Sequence, residues 1–481
     1  MASIAPPAAV QTLNLHGFLE DYERDHPEEV IHVEQPIDVN GCELTALITK
    51  LEKAKQFPVL IFHNALVDGQ PAELPLMTFL MASRQRLARS LDADVFHAGI
   101  ACYERTEQRM KPVTVDRAEA PVKEVIQTGA DIDVRRLPAP RHHQQDPGRY
   151  VTAGFFTTFN RETGVDNAAI QRGWISGRDE IRVFVGRQTH NWNNMRAYED
   201  AGEDTPAAYW IGHHPLAVLG CQSHVGPNES HYDTAGGGLG SPLRLVASET
   251  FGDKLLVPAD AEVVIEGYIP RNQRKPEGPF GEYTRYVGPQ RFNPALKVTA
   301  VTRRRNAYWD DCMVGHTHWI TSLTTEGAAF RILQEAVPGV RAVYLPQSGA
   351  NGHLYVQIEK TADDDGRKAA TAAMHGTFGM KHVFVFDEDV DIYDEREVLR
   401  ALAWRFQADK QAIILSDLRG SPLDPTSPDG RTSKMGFDCT KPLGLPFPQR
   451  LSVPREVLEA VNPADLLGQA RLDAVPVEPW G

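Results

Sequence analysis

A chain of 481 residues with 42% hydrophobic and 24% charged side chains has the makeup of a folded soluble protein of two or three domains, since domains usually run ~100–200 residues. Its 64 acidic residues against 50 basic ones leave a formal charge of −14, which excludes a general affinity for nucleic-acid phosphates. Apolar runs such as 76–81 and 381–386 fall far short of the ~20 residues that cross a bilayer, so no membrane segment is expected. The N-terminus has no basic region followed by a long apolar run, and the five cysteines form no C-x-x-C, so a cytoplasmic protein without a disulfide framework is expected.

In chain order, "LHGFLEDYERD" and "CELTALITKLEKA" place apolar residues at helical spacing and "PVLIFHNA" reads as a strand, giving an α/β segment over residues 1–120. Residues 121–319 change character. Short β-rich runs, "YVTAGFFTTFN", "EIRVFVG", "AEVVIEGYI" and "LKVTAVTRR", are broken by Gly, Pro and Asn, and predict a β-barrel or sandwich core. "TEGAAFRILQEAV" ends at Pro338-Gly339 and predicts a linking helix over 320–340. Beyond it, "RAVYLPQ", "GHLYVQIEK" and "KHVFVFDEDVDI" alternate with helical stretches, a second α/β domain over 341–481 with a proline-rich tail.

Several stretches carry candidate chemistry. "PEGPFGE" holds Glu277 and Glu282 around two glycines and a proline, a stiff turn that fixes two carboxylates near one site; the more desolvated of them would carry a proton. Arg172, in "DNAAIQRGW", suits a substrate carboxylate or one of those glutamates. Asn167, His190 and an acid near Glu229 offer the oxygen and imidazole donors of a cation site. His316-x-His318 would share one face of an extended segment. "TAGGGLGSP" reads as a tight turn or a close backbone approach, "DEDVDIYD" as a solvated strand end, "RTSKMG" with Lys434 as a flexible polar stretch, and "HNWNNMRAYEDAGEDTP" as an exposed insertion.

Together, "LPAPRHHQQDPGRYVTAGFFTT", Asn167 with Arg172, "VPADAEVVIEGYI", "PEGPFGE", "VFDEDVDI" and "SKMGFDCT" resemble the UbiD family of reversible decarboxylases that use prenylated FMN, in the family's order from about Leu137 to Thr440. The resemblance implies an α/β (α+β) fold: a split β-barrel flavin-binding domain joined by a helix to a C-terminal α/β oligomerisation domain. It implies Arg172, Glu277 and Glu282 as the catalytic set, with Glu282 protonating the carbon that loses carbon dioxide and Glu277 the ionised partner of Arg172. Asn167 and His190 would bind manganese or magnesium at the flavin phosphate, with potassium beside it, Gln171 would meet the cofactor, and Lys434 the phosphate.

For the third metal ligand the family places an acid shortly before an Ala-Gly pair, here Ala235-Gly236. Glu229 is the assigned residue, with His231 and Asp233 as alternatives. His316 and His318 are assigned to the substrate end. The implied reaction is reversible, non-oxidative decarboxylation of an aromatic, heteroaromatic or α,β-unsaturated acid through a covalent adduct with the cofactor. A flavin prenyltransferase would supply that cofactor, and the protein would be a homodimer or homohexamer. The competing readings are a flavin-free metal-dependent hydrolase or decarboxylase on His190, His316 and His318, and a non-catalytic flavin-binding protein.

Overall fold

The computed structural model describes residues 13–187, 189–376, 379–427 and 429–475. Its centre is one antiparallel nine-stranded sheet bent into a half-barrel. From one edge the strands run Asp166–Ile170, Phe155–Phe159, Thr205–Ile211, Val263–Ile269, Ala295–Arg303, Glu180–Val183, Gly173–Gly177 and Tyr150–Val151; Val125–Thr128 adds to the long strand Ala295–Arg303. Side chains alternate across a strand, and here both faces are covered. Phe155, Ala208, Trp210 and Val264 enter one hydrophobic core, while Phe156, Tyr209, Ile211 and Ile265 enter a second on the other side. The central strands therefore read as continuous apolar runs.

The N-terminal segment supplies the cover. Its helix Leu15–Asp25 packs Leu15 and Leu19 into the first core, and its helix Glu43–Lys53 packs Leu44 and Ile48 into the second. Two strand pairings also cross the expected boundary near residue 120. Leu76–Thr78 pairs in parallel with Trp309–Asp311, and Val113–Thr114 pairs with Arg244–Leu245. Residues 13–120 thus share their core with the half-barrel.

The linking helix spans Ile320–Ala336, beginning five residues before the run read from the sequence and stopping ahead of Pro338. It leads to a mixed five-stranded sheet in the order Val340–Tyr344, His353–Ile358, His382–Asp387, Arg431–Asp438, Ala412–Arg419. Residues up to Thr440 form one compact unit, and 441–481 a second. Within the latter, the described residues make three short helices, Arg455–Ala460, Pro463–Leu467 and Gln469–Asp473, whose Leu458 and Leu466 are largely exposed. Among the described residues, no helix is long and apolar enough to cross a membrane.

Four local expectations change. The "exposed insertion" is the helix His190–Asp200, with Asn191, Asn194, Met195 and Glu199 buried. Polar residues carry this packing because each finds a partner: Asn191 bonds Thr158 and the Phe156 carbonyl, and Glu199 accepts from Asn272 N and Arg274. "TAGGGLG" is the buried helix His231–Leu239 and not a turn; its glycines serve close approach, a Cβ on Gly238 standing 2.4 Å from the Leu216 carbonyl. "RTSKMG" is the start of the strand Arg431–Asp438, with Lys434 only 2% exposed. "DEDVDIYD" is less solvated than expected, because Arg405 bonds Asp387 and grips Asp389 with two nitrogens.

Candidate active site

The acidic loop begins as the short strand Lys275–Glu277, passes the cis peptide Gly278–Pro279 and continues as Phe280–Gly281. Gly278 has φ +83°, a conformation that glycine adopts without strain. The strand partners are Arg291–Asn293 and Val287–Gly288, so the loop is anchored on both sides of the turn. Asp146, 1% exposed, fixes it from below: one carboxylate oxygen accepts Gly281 N at 3.0 Å and the other His143 N at 2.9 Å.

Arg172 follows the edge strand Asp166–Ile170 and points at this loop. Its Nε and Nη2 reach the two oxygens of Glu277 at 2.9 and 2.8 Å, and its Nη1 bonds Glu282 Oε1. Exposure is 0% for Glu277, 6% for Glu282 and 7% for Arg172, so one guanidinium is shared by two carboxylates in a nearly dry setting. Phe184 and Phe280 stack against the guanidinium, at 4.5 and 4.9 Å. Glu277 also accepts Tyr150 Oη at 3.2 Å and Asn293 Nδ2 at 3.0 Å, so its oxygens are saturated. Glu282 has no such second set. Burial raises its pKa above 4.5, with the Glu277 charge acting the same way and Arg172 partly opposing. The geometry holds Glu277 through both oxygens and leaves Glu282 the less saturated carboxyl, with its pKa raised by burial.

Sequence reasoning found the three charged residues but missed Tyr150, Asn293 and Asp146, whose roles follow from contacts over 16 to 135 residues of separation. It also missed Gly288, where a Cβ would lie 2.7 Å from Glu282 Oε1. Because only a flexible carboxylate would have to yield, Gly288→Ala is expected to fold normally yet displace the Glu282 carboxyl. Turnover should then fall by up to ~100-fold, as for a misplacement of about 1 Å. Steady-state kinetics with matched circular dichroism checks this, and a kcat within twofold of the wild type would contradict it.

His316 and His318 lie in a loop and not on a strand, so no extended segment aligns them; both nevertheless line one cavity with Tyr283, Arg285 and Gly315. Gly315 borders the Glu282 backbone, a Cβ there standing 3.1 Å from its carbonyl oxygen. His316 meets Thr49 at 2.9 Å, and both rings have a buried Nδ1 without a hydrogen-bond partner. Burial lowers the His318 pKa to about 4, so that imidazole is neutral at pH 7. His318 also faces a second cavity, bounded by Ala153, Ile170, Val218, Met313 and Ile320.

Of the expected cation ligands, Asn167 is buried on the strand Asp166–Ile170 and His190 opens the helix His190–Asp200. Glu229 is engaged elsewhere. Its side chain is 42% exposed, pairs with Arg109 at 2.8 Å and accepts Gly226 N, and Arg109 holds its carboxyl below the ordinary value. Asp233 is half-buried in the first turn of the helix His231–Leu239, while His231 is 8% exposed with a buried, unpartnered Nδ1. Gln171 likewise keeps a buried oxygen without a partner, and Lys434 sits within the C-terminal sheet, its pKa lowered by burial. Among the described residues, the one group of three His, Cys, Asp or Glu with converging ligand atoms is His26, Glu28 and Glu29, none of them an expected ligand.

Residues 113–317 match the 3-octaprenyl-4-hydroxybenzoate carboxy-lyase Rift-related domain of UbiD, and 318–439 match the C-terminal domain of the same enzymes. The chain belongs to the UbiD family. It is accordingly a carboxy-lyase of the decarboxylase type. Anhydromevalonate phosphate decarboxylase of Methanothermobacter thermautotrophicus is 31% identical over 382 residues, 79% of this chain and 88% of that one. Gallate decarboxylase of Lactiplantibacillus plantarum is 29% identical across 91% of this chain and 96% of its own. Among solved structures, the UbiD-class enzyme HmfF from Pelotomaculum thermopropionicum, in complex with FMN, superposes with a TM-score of 0.87 at 32% identity, covering 94% of this chain and 100% of HmfF. An evolved dimeric form of HmfF was solved with prenylated FMN.

Proposed function

We propose that this UbiD enzyme removes carbon dioxide reversibly from an aromatic, heteroaromatic or α,β-unsaturated carboxylic acid, using prenylated FMN and Glu282 as proton donor. The observation that carries the reading is the Arg172 guanidinium held between saturated Glu277 and less saturated Glu282, all three nearly buried. A flavin fits the residues present. The cavity beside His318 sets apolar walls, Ala153, Ile170, Val218 and Ile320, opposite polar Asp310, Asp311 and Thr317, and Gln171, one residue before Arg172, keeps a buried oxygen free for a donor.

The prenylated flavin, when bound, supplies the electron sink that spares a free carbanion at an sp2 carbon. The chain's own residues do the rest. Arg172 orients the substrate carboxylate beside its glutamate partners, and Phe184 and Phe280 keep water from the guanidinium. As the carbon–carbon bond breaks, carbon dioxide leaves, its electron pair stays with the organic fragment, and a proton from Glu282 Oε takes its place. In the reverse direction ionised Glu282 removes that proton. Neutral His318 and His316 face the substrate's far end. Asn167 and His190 would help hold a divalent cation, which the family resemblance implies to be manganese or magnesium with potassium, and Lys434 would meet the flavin phosphate. A flavin prenyltransferase supplies the cofactor to a cytoplasmic homodimer or homohexamer assembled through the C-terminal domain.

The test is a screen of protein co-produced with a flavin prenyltransferase against hydroxylated benzoic, furoic and α,β-unsaturated acids. Carbon dioxide release and solvent-proton exchange into the products would be followed. Turnover of one of these acids only in the flavin-loaded protein is expected; equal turnover without flavin would overturn the reading.

A further inference from the structure

We infer that the divalent-cation site of this enzyme is nitrogen-rich, with His231 in the place sought for Glu229, and that it prefers zinc or cobalt to manganese and magnesium. The inference rests on the proposed cation site and names its third ligand. Two helix N-termini are drawn to the edge strand that bears Asn167. Thr158, the cross-strand partner of Asn167, donates to Asn191 and accepts from Asn194, which seats the helix that His190 begins. On the neighbouring residue, Asp166 accepts from Ser230 Oγ and from Tyr232 N at 3.1 Å, which seats the helix that His231 begins. His190 and His231 are thereby carried by helices seated on the same edge strand, one through Thr158, the partner of Asn167, and the other through Asp166.

The state of the side chains separates the candidates. Glu229 is spent on Arg109 and the Gly226 amide and turns toward solvent. His231 is 92% buried by its 8% exposure, and its Nδ1 has no hydrogen-bond partner, a costly condition for a polar atom unless a ligand uses it. Two imidazoles and one amide carry no negative charge. Such a donor set suits the later first-row ions, whereas manganese and magnesium favour carboxylate oxygen. It also leaves the cation's charge to be balanced by an anionic ligand such as a flavin phosphate.

The test uses the full chain loaded with FMN, equilibrated separately with Zn2+, Co2+ and Mn2+, with metal retained after desalting measured by elemental analysis and cobalt followed by its visible absorption. Zinc and cobalt are expected to bind at least ~10-fold more tightly than manganese, on the scale by which ligand environments alter affinity. His231→Glu should narrow that preference, His231→Ala should release the metal, and Glu229→Gln should retain it as the wild type does. Retention unchanged in both His231 variants, loss in Glu229→Gln, or no metal in the FMN-loaded wild type would each overturn the inference. Flavin content is read in the same samples, so a protein that fails to hold FMN tells against the proposed function separately.

Discussion

Glu282→Gln is expected to lower turnover by ~100- to 10,000-fold, the span of a lost general acid, while flavin binding and folding persist. Glutamine preserves the size of the side chain and accepts the hydrogen bond that Arg172 Nη1 gives. It has no proton of suitable acidity to give a developing carbanion. Glu282 is the less saturated of the two carboxyls on Arg172, since Tyr150 and Asn293 add their hydrogen bonds to Glu277. A pH profile separates this role from simple charge pairing. The pKa of Glu282 is raised, mainly by burial, so the loaded acid persists above pH 4.5, and decarboxylation should fall as pH rises through its shifted value. Proton exchange into the product needs the ionised form and should rise over the same window. Steady-state rates of carbon dioxide release and of solvent-proton exchange from pH 4 to 9 check the two limbs, and a variant within tenfold of wild type would remove Glu282 from the chemistry.

Glu326→Ala is expected to cost about 3–5 kcal/mol of stability, as for a buried ion pair that loses one partner. Glu326 on the linking helix receives both terminal nitrogens of Arg84 at 2.9 and 2.8 Å, along with Leu345 N at 3.1 Å, and only 2% of its side chain is exposed. Arg84 is stacked against Trp319 and Tyr344, so the alanine variant would leave a guanidinium enclosed by aromatic rings without its counter-charge. Beside the pair, the helix Ala98–Thr106 crosses the linking helix at glycines, a Cβ on Gly327 standing 2.3 Å from the Gly99 carbonyl, which leaves water little room to enter. Replacing both partners, as Arg84→Met with Glu326→Leu, should cost much less than the sum of the single changes. Denaturant midpoints followed by tryptophan fluorescence measure the cycle, and additive losses would mean the pair is not coupled.

Much of this molecule was legible from local pattern. The helices at 15–25 and 43–53 and the strand at 59–62 follow from apolar spacing, and the long β-rich middle follows from its Val, Ile, Phe and Tyr runs. Arg172, Glu277 and Glu282 were named through family resemblance, and the fold does bring them together. What escaped depended on contacts far apart in sequence. The helix 190–200 carries asparagines and a glutamate on its inner face, which reads as exposure until Thr158 and Arg274 are seen to satisfy them. The glycine-rich helix 231–239 reads as a loop because its small residues serve neighbouring backbones. Glu229 has the right chemistry for a cation but lies within reach of Arg109, a contact across 120 positions that no motif announces.

The strand Trp309–Asp311, which pairs with Leu76–Thr78, sets a limit on how this enzyme can be dissected. The segment recognisable as UbiD starts at residue 113, yet that strand and both barrel cores are closed by residues upstream of it. A fragment cut at the family boundary would carry an unpaired strand edge, and its uncovered Phe155, Trp210, Phe156 and Tyr209 would form an adhesive apolar surface. Shuffling of domains among these decarboxylases therefore has to carry the first hundred residues along with the half-barrel, as one inherited piece.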